Sequence, residues 1–166
     1  MATRSELTFF WRFIEVVVIF FVKVVMRWRV DIRGTEHLPR SSGAVVAFNH
    51  HSYFDFVMVA WAAVRKLRRP VRFLAKREMW KSRKTLWLVR AADAVPVDRD
   101  STSSRHRAFD EAIARLRSGE LVAVAPEQTI SQSFQLLPFR TGAVRMAQAA
   151  GVPIVPAIGW GTHRFA

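Results

Sequence analysis

Residues 44–64 read Ala44-Val-Val-Ala-Phe-Asn-His-His-Ser-Tyr-Phe-Asp-Phe-Val-Met-Val-Ala-Trp-Ala-Ala-Val64, and this stretch decides the fold. The apolar run Ala44–Phe48 has the length of a buried strand, and a helix-compatible stretch follows over Phe54–Leu67. Between them lie polar residues, at the end of a strand, which is where open α/β sheets bind ligands. The stretch therefore predicts a strand, a loop with candidate functional residues, and a helix.

Further apolar runs alternate with helical patterns on both sides of this stretch. Ser101–Ser104 offers N-caps to a helix that Gly119 ends, and Gly151 closes another helix. The alternation predicts one α/β domain over residues 30–166, with a mostly parallel mixed sheet flanked by helices. Because no closing helix follows the last strand, we expect a C-terminal truncation. The predicted strands are Val30–Arg33, Ala44–Phe48, Val71–Ala75, Ala94–Val97, Leu121–Ala125 and Pro153–Ile158.

Composition narrows the class of partner. The chain has 166 residues, no cysteine and a formal net charge of +13. Without cysteine there is no disulfide framework and no thiolate nucleophile or metal ligand. A basic surface attracts nucleic acid or anionic lipid headgroups. The basic residues are dispersed and no nucleic-acid-binding motif is evident, which favours lipid.

The N-terminal segment, residues 1–29, is predicted to associate with membranes. Its longest uncharged stretch, Val16–Val22, is too short to span a bilayer. On a helix the polar side chains form one stripe, with Trp11 and Trp28 near the ends, as in a helix that lies in the membrane interface. A helix packed on the domain's own core is the alternative interpretation. The stripe contains Thr8, Arg12, Glu15, Lys23 and Arg27.

His50, His51 and Asp55 are the candidate catalytic residues. Imidazole moves protons near neutral pH, and a carboxylate can fix its tautomer. The spacing does not choose the histidine, because His51 would share a helical face with Asp55, whereas His50 would have to lie in the loop. Two other roles stay open. Ser52 and Asp55 have the spacing of a capping box. His50, His51 and Asp55 could also ligate a metal, although no further protein ligand is evident nearby.

Charged residues also follow other predicted strands. Arg99 ends Val95-Pro-Val-Asp-Arg99, Glu127 ends Ala125-Pro-Glu127, and Lys76 follows Phe73-Leu-Ala. Arg99 and Lys76 suggest one basic pocket that faces a phosphate.

These motifs together resemble the glycerolipid acyltransferase (PlsC-like) family, which includes the lysophosphatidic acid acyltransferases. The resemblance runs from about Val30 to the C-terminus. Its first block, Asn-His-x-x-x-x-Asp, matches Asn49, His50 and Asp55, and selects His50 over His51. The other matches, in the family's order, are Phe73-Leu-Ala-Lys76-Arg-Glu78, Val95-Pro-Val-Asp-Arg99, Pro126-Glu127, Phe139-Arg-Thr-Gly142-Ala and Val152-Pro-Ile-Val-Pro156.

The resemblance implies a membrane-associated enzyme of phospholipid biosynthesis at the cytoplasmic face. It would transfer an acyl group from acyl-CoA or acyl carrier protein to a lysophospholipid hydroxyl. His50 would be the general base and Asp55 would orient it. Lys76, Arg99 and Glu127 would bind substrate. No metal or bound cofactor is implied, and no nucleic acid. The alternative is a non-catalytic basic protein that binds anionic membranes.

Three positions depart from the family's pattern. Asp93 and Gln128 stand where the second and third blocks have glycine, and Ile130 stands where the third block has an arginine that helps to hold the acceptor phosphate. These departures imply that a phosphomonoester acceptor binds more weakly. They also allow an acceptor hydroxyl on a different lysolipid or on a glycolipid.

Overall fold

A computed structural model of the chain describes residues 9–25, 27, 29–98, 100–133 and 135–165. Within these residues helices alternate with strands, as predicted. The helices are α1 (Phe9–Phe20, continued by a π-helical turn, Phe21–Val25), α2 (Phe54–Leu67), α3 (Arg83–Ala91), α4 (Thr102–Arg117) and α5 (Gly142–Ala150). The strands are β1 (Ala44–Phe48), β2 (Val71–Lys76), β3 (Val95–Val97), β4 (Leu121–Val124) and β5 (Ile154–Ala157). Short 3₁₀ turns cover Thr35–His37, Arg77–Trp80 and Thr162–Phe165.

The five strands form one sheet in the order β3-β2-β4-β1-β5. Every neighbouring pair among the described strands is parallel, whereas the prediction was a mostly parallel mixed sheet. Helices connect the strands, and a parallel pair requires such a crossover. The carboxyl ends of all five strands therefore share one edge, and the polar loop after β1 lies there.

Alternate residues of β1 reach opposite faces of the sheet. Val46 and Phe48 pack with residues of α2, including Ala60 and Val64. Val45 packs on the other face, with residues of α4 and α5. Strands buried on both faces are continuous apolar runs, and this explains why the sequence revealed them.

The predicted strand at Val30–Arg33 is wrong, since these residues have no regular secondary structure. Asp31 and Arg33 form an exposed ion pair with each other, at 2.5 Å between Arg33 Nη2 and Asp31 Oδ2. A strand of a covered parallel sheet must be apolar on both faces. Asp31 and Arg33 would put two charges on one of those faces.

The helix α1 and its π turn end at Val25, short of the predicted residue 29, and Arg27 has a left-handed backbone with φ of 54°. One face packs on the domain. Trp11, only 3% exposed, lies in the core on the α2 side of the sheet, so it is not the interfacial anchor that was predicted. Val18 and Val22 pack against Trp61. The core-packing alternative is thus correct for this face, whereas Thr8 and Trp28 lie outside the described residues.

Glu15, a member of the predicted polar stripe, turns towards α2 instead of solvent. Its carboxylate pairs with Arg68 at 2.8 Å and with Arg65 at 3.8 Å. The opposite face of α1 and the π turn is apolar and exposed, with Phe9 at 84% and Val16 at 65% exposure. No helix within the described ranges is long and apolar enough to cross a bilayer. The other exposed apolar residues of this face are Phe13, Val17, Phe20, Phe21 and Val24.

Candidate active site

The site forms where the ends of β1, β4 and β5 meet. The side-chain amide of Asn49, the first residue after β1, donates to Gly159 O at 3.0 Å and accepts from Gly159 N at 2.7 Å. The turn that begins at Gly159 is thereby held beside the start of α2. A methyl group added at Gly159 would lie 3.6 Å from Asp55 Oδ1. Asp55, in the first turn of α2 and far from Gly159 in sequence, therefore shares its surroundings with this turn.

His50 and Asp55 form a buried pair. His50 Nδ1 lies 3.1 Å from Asp55 Oδ2, and the two side chains are 8% and 2% exposed. A carboxylate beside Nδ1 favours the tautomer with its proton on Nδ1. The other nitrogen, Nε2, makes no hydrogen bond to any described residue and is left as a proton acceptor. This is the arrangement of a general base with its orienting carboxylate.

Asp55 Oδ2 collects two further donors, the backbone N–H groups of His51 and Ser52, both at 2.8 Å. Burial opposes ionisation and is the largest influence on the pKa of Asp55. The hydrogen bonds from His50, Ser52 and His51, together with the nearby Thr162 hydroxyl, outweigh it, so the pKa lies below its ordinary value. The carboxylate is therefore ionised at neutral pH. Asp55 Oδ1 and Thr162 Oγ1 are both buried, and neither forms a hydrogen bond to a described residue, so the Thr162 hydroxyl acts on the carboxylate from close by and not through a hydrogen bond.

The ambiguity between His50 and His51 is resolved by the backbone. Residues 50–53 precede α2, so His50 lies in the loop and its ring reaches back to the first turn of the helix. His51 contributes its backbone N–H to Asp55. The capping interpretation is also confirmed in part, because the Ser52 N–H donates to Asp55 as in a capping box. One carboxylate thus starts the helix and orients the base.

Aromatic rings fix the orientation of the imidazole. The His50 ring meets Phe56 at 4.9 Å between centroids, Phe48 at 6.1 Å and Tyr53 at 6.4 Å, each edge to face. Such edge-to-face contacts favour a defined ring plane.

Glu127 holds the main chain of His50. Its Oε1 accepts from His50 N at 2.9 Å, and its Oε2 accepts from Leu137 N at 2.9 Å. Ser131 N donates to the carbonyl of His50 at 2.8 Å. Since both carboxylate oxygens of buried Glu127 bind backbone, the structure gives it a positioning role. The predicted substrate contact stays a prediction.

The predicted basic pocket of Lys76 and Arg99 stays untested, because only one of the two residues is described. Lys76 is exposed at the end of β2 and lines neither of the two large cavities described below. Arg99 lies outside the described residues. The role of this pair stays a prediction. Within the described part of the chain, no three His, Asp or Glu side chains come together in the way a metal site requires.

Two of the family departures occupy positions that favour glycine. Asp93 has φ of 49° and Gln128 has φ of 61°, both in the left-handed region. The carboxylate of Asp93 forms an ion pair with Arg115, whose Nη1 lies 2.7 Å from Asp93 Oδ2. The hydrogen bond from Arg115 also holds the pKa of Asp93 below its ordinary value. The side chain of Gln128 is exposed and makes no hydrogen bond to another described residue.

Two cavities adjoin the pair. One, of about 770 Å³, has His50 in its wall and lies between the strand ends, α4 and α5. The other, of about 920 Å³, has Asp55 and Asn49 in its wall and extends to Trp61. The sequence prediction missed Arg105 and Arg145 in the first cavity and Thr162 in the second. Arginines on a helical pattern resemble ordinary surface residues, and no local signal marks Thr162.

The chain is similar to known proteins over most of its length. A model of the Acyltransferase family matches residues 29–160. The 1-acyl-sn-glycerol-3-phosphate acyltransferase of Bacillus subtilis is 29% identical over 138 residues, covering 82% of this chain and 66% of that protein. The human 1-acyl-sn-glycerol-3-phosphate acyltransferase alpha is 33% identical over 141 residues, covering 82% and 47%.

A solved structure is similar as well. The 1-acyl-sn-glycerophosphate (LPA) acyltransferase PlsC from Thermotoga maritima superposes with a TM-score of 0.67 at 28% identity, covering 92% of this chain and 58% of that one. The chain thus spans between about half and two thirds of the length of these relatives. With the family model matched over most of the chain and the His50–Asp55 pair in place, the protein belongs to the acyltransferase family.

Proposed function

We propose that this protein transfers a fatty acyl group from acyl-CoA or acyl carrier protein to a hydroxyl group of a lysophospholipid, in phospholipid biosynthesis. One observation carries the proposal. His50 Nδ1 is held 3.1 Å from a buried carboxylate, Nε2 makes no hydrogen bond to a described residue, and His50 lines a cavity where the strands end. The relatives named above are 1-acyl-sn-glycerol-3-phosphate acyltransferases, which supports this choice of substrate class.

The chemistry follows from the pair. Nε2 of His50 takes the proton of the acceptor hydroxyl as its oxygen attacks the thioester carbonyl. The imidazolium that forms carries its charge next to Asp55, whose lowered pKa keeps it ionised. The tetrahedral intermediate collapses, the C–S bond breaks, and the departing thiolate takes the proton back from His50. The ester and the free thiol are the products, so no enzyme nucleophile and no bound cofactor take part.

Membrane association is part of the proposal. The exposed apolar face of α1 and the π turn, defined by Phe9, Phe13, Val16, Val17, Phe20, Phe21 and Val24, would insert into one leaflet. Arg12 and Lys23 lie exposed on the same segment, where they can meet anionic headgroups. The cytoplasmic leaflet is anionic, which favours that face.

The test is transfer of a labelled acyl group from acyl-CoA to a panel of lysolipids. Wild type should form the diacyl product, and His50→Ala should lower the rate by about 10²–10⁴-fold. His51→Ala is the matched control, since it removes a neighbouring imidazole that does not contact Asp55, and its effect should be much smaller. A protein that only coats anionic membranes would bind vesicles and transfer nothing in any of the three forms. Equal losses in both variants would refute the assignment of His50.

A further inference from the structure

We propose that Arg105, Arg140 and Arg145 form an anion subsite that holds a phosphate group of a substrate in the cavity beside His50. The inference rests on the proposed function only for the choice of ligand. It goes beyond it in naming the residues that provide positive charge at this site.

The first support is the charge of the cavity wall. Besides His50, its ionisable residues are Arg105 and His106 on α4, Arg145 on α5, and Arg140 just before α5. No aspartate or glutamate is among the described residues that line it. An arginine-rich wall without acidic residues gives the cavity a positive potential that attracts anions.

The second support is that these guanidinium groups are not neutralised. Several other arginines of the chain do pair with carboxylates, as Arg68 does with Glu15 and Arg115 with Asp93. By contrast, no carboxylate among the described residues lies within 4.0 Å of Arg105, Arg140 or Arg145. Arg105 Nη2 instead donates to the neutral hydroxyl Thr102 Oγ1, at 3.0 Å. The Arg145 guanidinium lies 5.4 Å from the centroid of the Phe109 ring, which gives it a preferred position at the cavity wall.

The third support is the chemistry of the remaining wall. Leu74, Phe109 and Met146 make much of the cavity apolar, and His50 is at one side. A phosphate ester with an organic chain would match both halves, because planar guanidinium groups bind phosphate through paired hydrogen bonds. Neither Lys76 nor Ile130 lines this cavity. The expectation of weak phosphate binding counted Lys76 and Arg99, and it left out the arginines of α4 and α5.

Two sources of phosphate fit, the headgroup of a lysophospholipid acceptor and the phosphates of a CoA donor. Binding is measured by titration calorimetry with two matched pairs of ligands. The first pair is a short-chain lysophosphatidate below its micelle concentration and the monoacylglycerol of the same chain. The second is CoA and pantetheine. The proteins are wild type, Arg105→Gln, Arg145→Gln, and the control Arg107→Gln. Arg107 is exposed on α4 and does not line the cavity.

We expect each cavity variant to bind one phosphate-bearing ligand about ten-fold more weakly, with Arg107→Gln unchanged. The ligand that is affected identifies the source of the phosphate. The affinity for the phosphate-free ligand of each pair should be the same in all four proteins. The subsite is overturned if wild type prefers neither phosphate ligand, if the cavity variants bind as wild type does, or if Arg107→Gln weakens binding equally. A wild-type protein that binds the phosphate ligand but transfers no acyl group would refute the proposed function and leave the subsite standing.

Discussion

Asn49 and Gly159 exchange two hydrogen bonds across 110 residues of sequence, at 3.0 and 2.7 Å. The last backbone pair of β1 and β5 is Phe48 with Ala157, and the Asn49 amide continues the pairing beyond it. A carboxamide can do so because it offers one donor and one acceptor, as a peptide group does. The turn that carries Thr162 to Asp55 is therefore fixed by a side chain.

Asn49→Ala should lower the free energy of unfolding by about 2 kcal/mol, since two hydrogen bonds are lost and their backbone partners are part-buried. Urea denaturation measures the change. Asn49→Asp is the informative comparison, because it keeps an acceptor for the Gly159 N–H and faces the Gly159 carbonyl with an oxygen. A stability of Asn49→Ala equal to that of wild type would show that the turn is held by other contacts.

Asp55 should make stability depend on pH. Its pKa is lower in the folded chain than in the unfolded chain, because three hydrogen-bond donors and the nearby Thr162 hydroxyl outweigh the effect of burial. The unfolded state therefore binds protons first, and the stabilisation is fully present above about pH 4 and is lost as the pH falls through the folded value. The difference in unfolding free energy between wild type and Asp55→Asn should shrink over that range.

Thr162 provides a second test of what lowers the pKa of Asp55. Thr162→Val keeps the shape and removes the nearby hydroxyl that lowers the pKa of Asp55, so it should raise this pKa in a carbon-13 titration of the carboxyl groups. Thr162→Ser should restore it. An unchanged titration in Thr162→Val would show that the hydroxyl does not act on this carboxylate.

Gln128→Gly should stabilise the protein by up to about 1 kcal/mol. Gln128 has φ of 61°, where a side chain is strained and glycine is not. Part of the gain is offset by the greater freedom of glycine in the unfolded chain. Thermal unfolding measures it, and Gln128→Ala separates the causes, because it removes the long side chain and keeps the backbone strain. Equal effects of glycine and alanine would place the cause in the side chain.

Phe13→Ser combined with Phe20→Ser should strongly reduce sedimentation with anionic vesicles, because it removes two exposed apolar side chains from the face proposed to insert. Val144→Ser, an exposed apolar position on α5, is the matched control. High salt should release only part of the wild type. Complete release by salt, with the double variant bound as before, would show that charge alone holds the protein on the surface.

Much of this fold was predictable because its strands are continuous apolar runs. The bounds of α2 match the prediction at both ends, where the loop precedes Phe54 and Arg68 takes a left-handed conformation after Leu67. The prediction failed at Val30–Arg33, where local charge pairing replaces a sheet partner. It failed for Trp11 because hydropathy does not tell a core-facing surface from a lipid-facing one when a helix has both.

The site was predictable in its chemistry and less so in its support. Spacing could not choose between His50 and His51, because the choice depends on where the loop ends and α2 begins. That Glu127 binds the main chain of His50, 77 residues earlier, depends on how the ends of β1 and β4 align. Such contacts follow from strand order, which no local pattern encodes.

The helix α2 carries a functional contact at each end. Asp55 lies in its first turn, and Arg65 in its last turn, with Arg68 just beyond it, holds Glu15 of α1. With 14 residues, α2 is about 21 Å long. Because α2 is held at both ends, the tilt that α1 would take on a bilayer under the proposed membrane association would also set the orientation of His50 relative to that bilayer. Glu15→Gln removes the ion pairs with Arg65 and Arg68. It should leave the amount of protein bound to a supported bilayer unchanged and broaden the distribution of its orientations there.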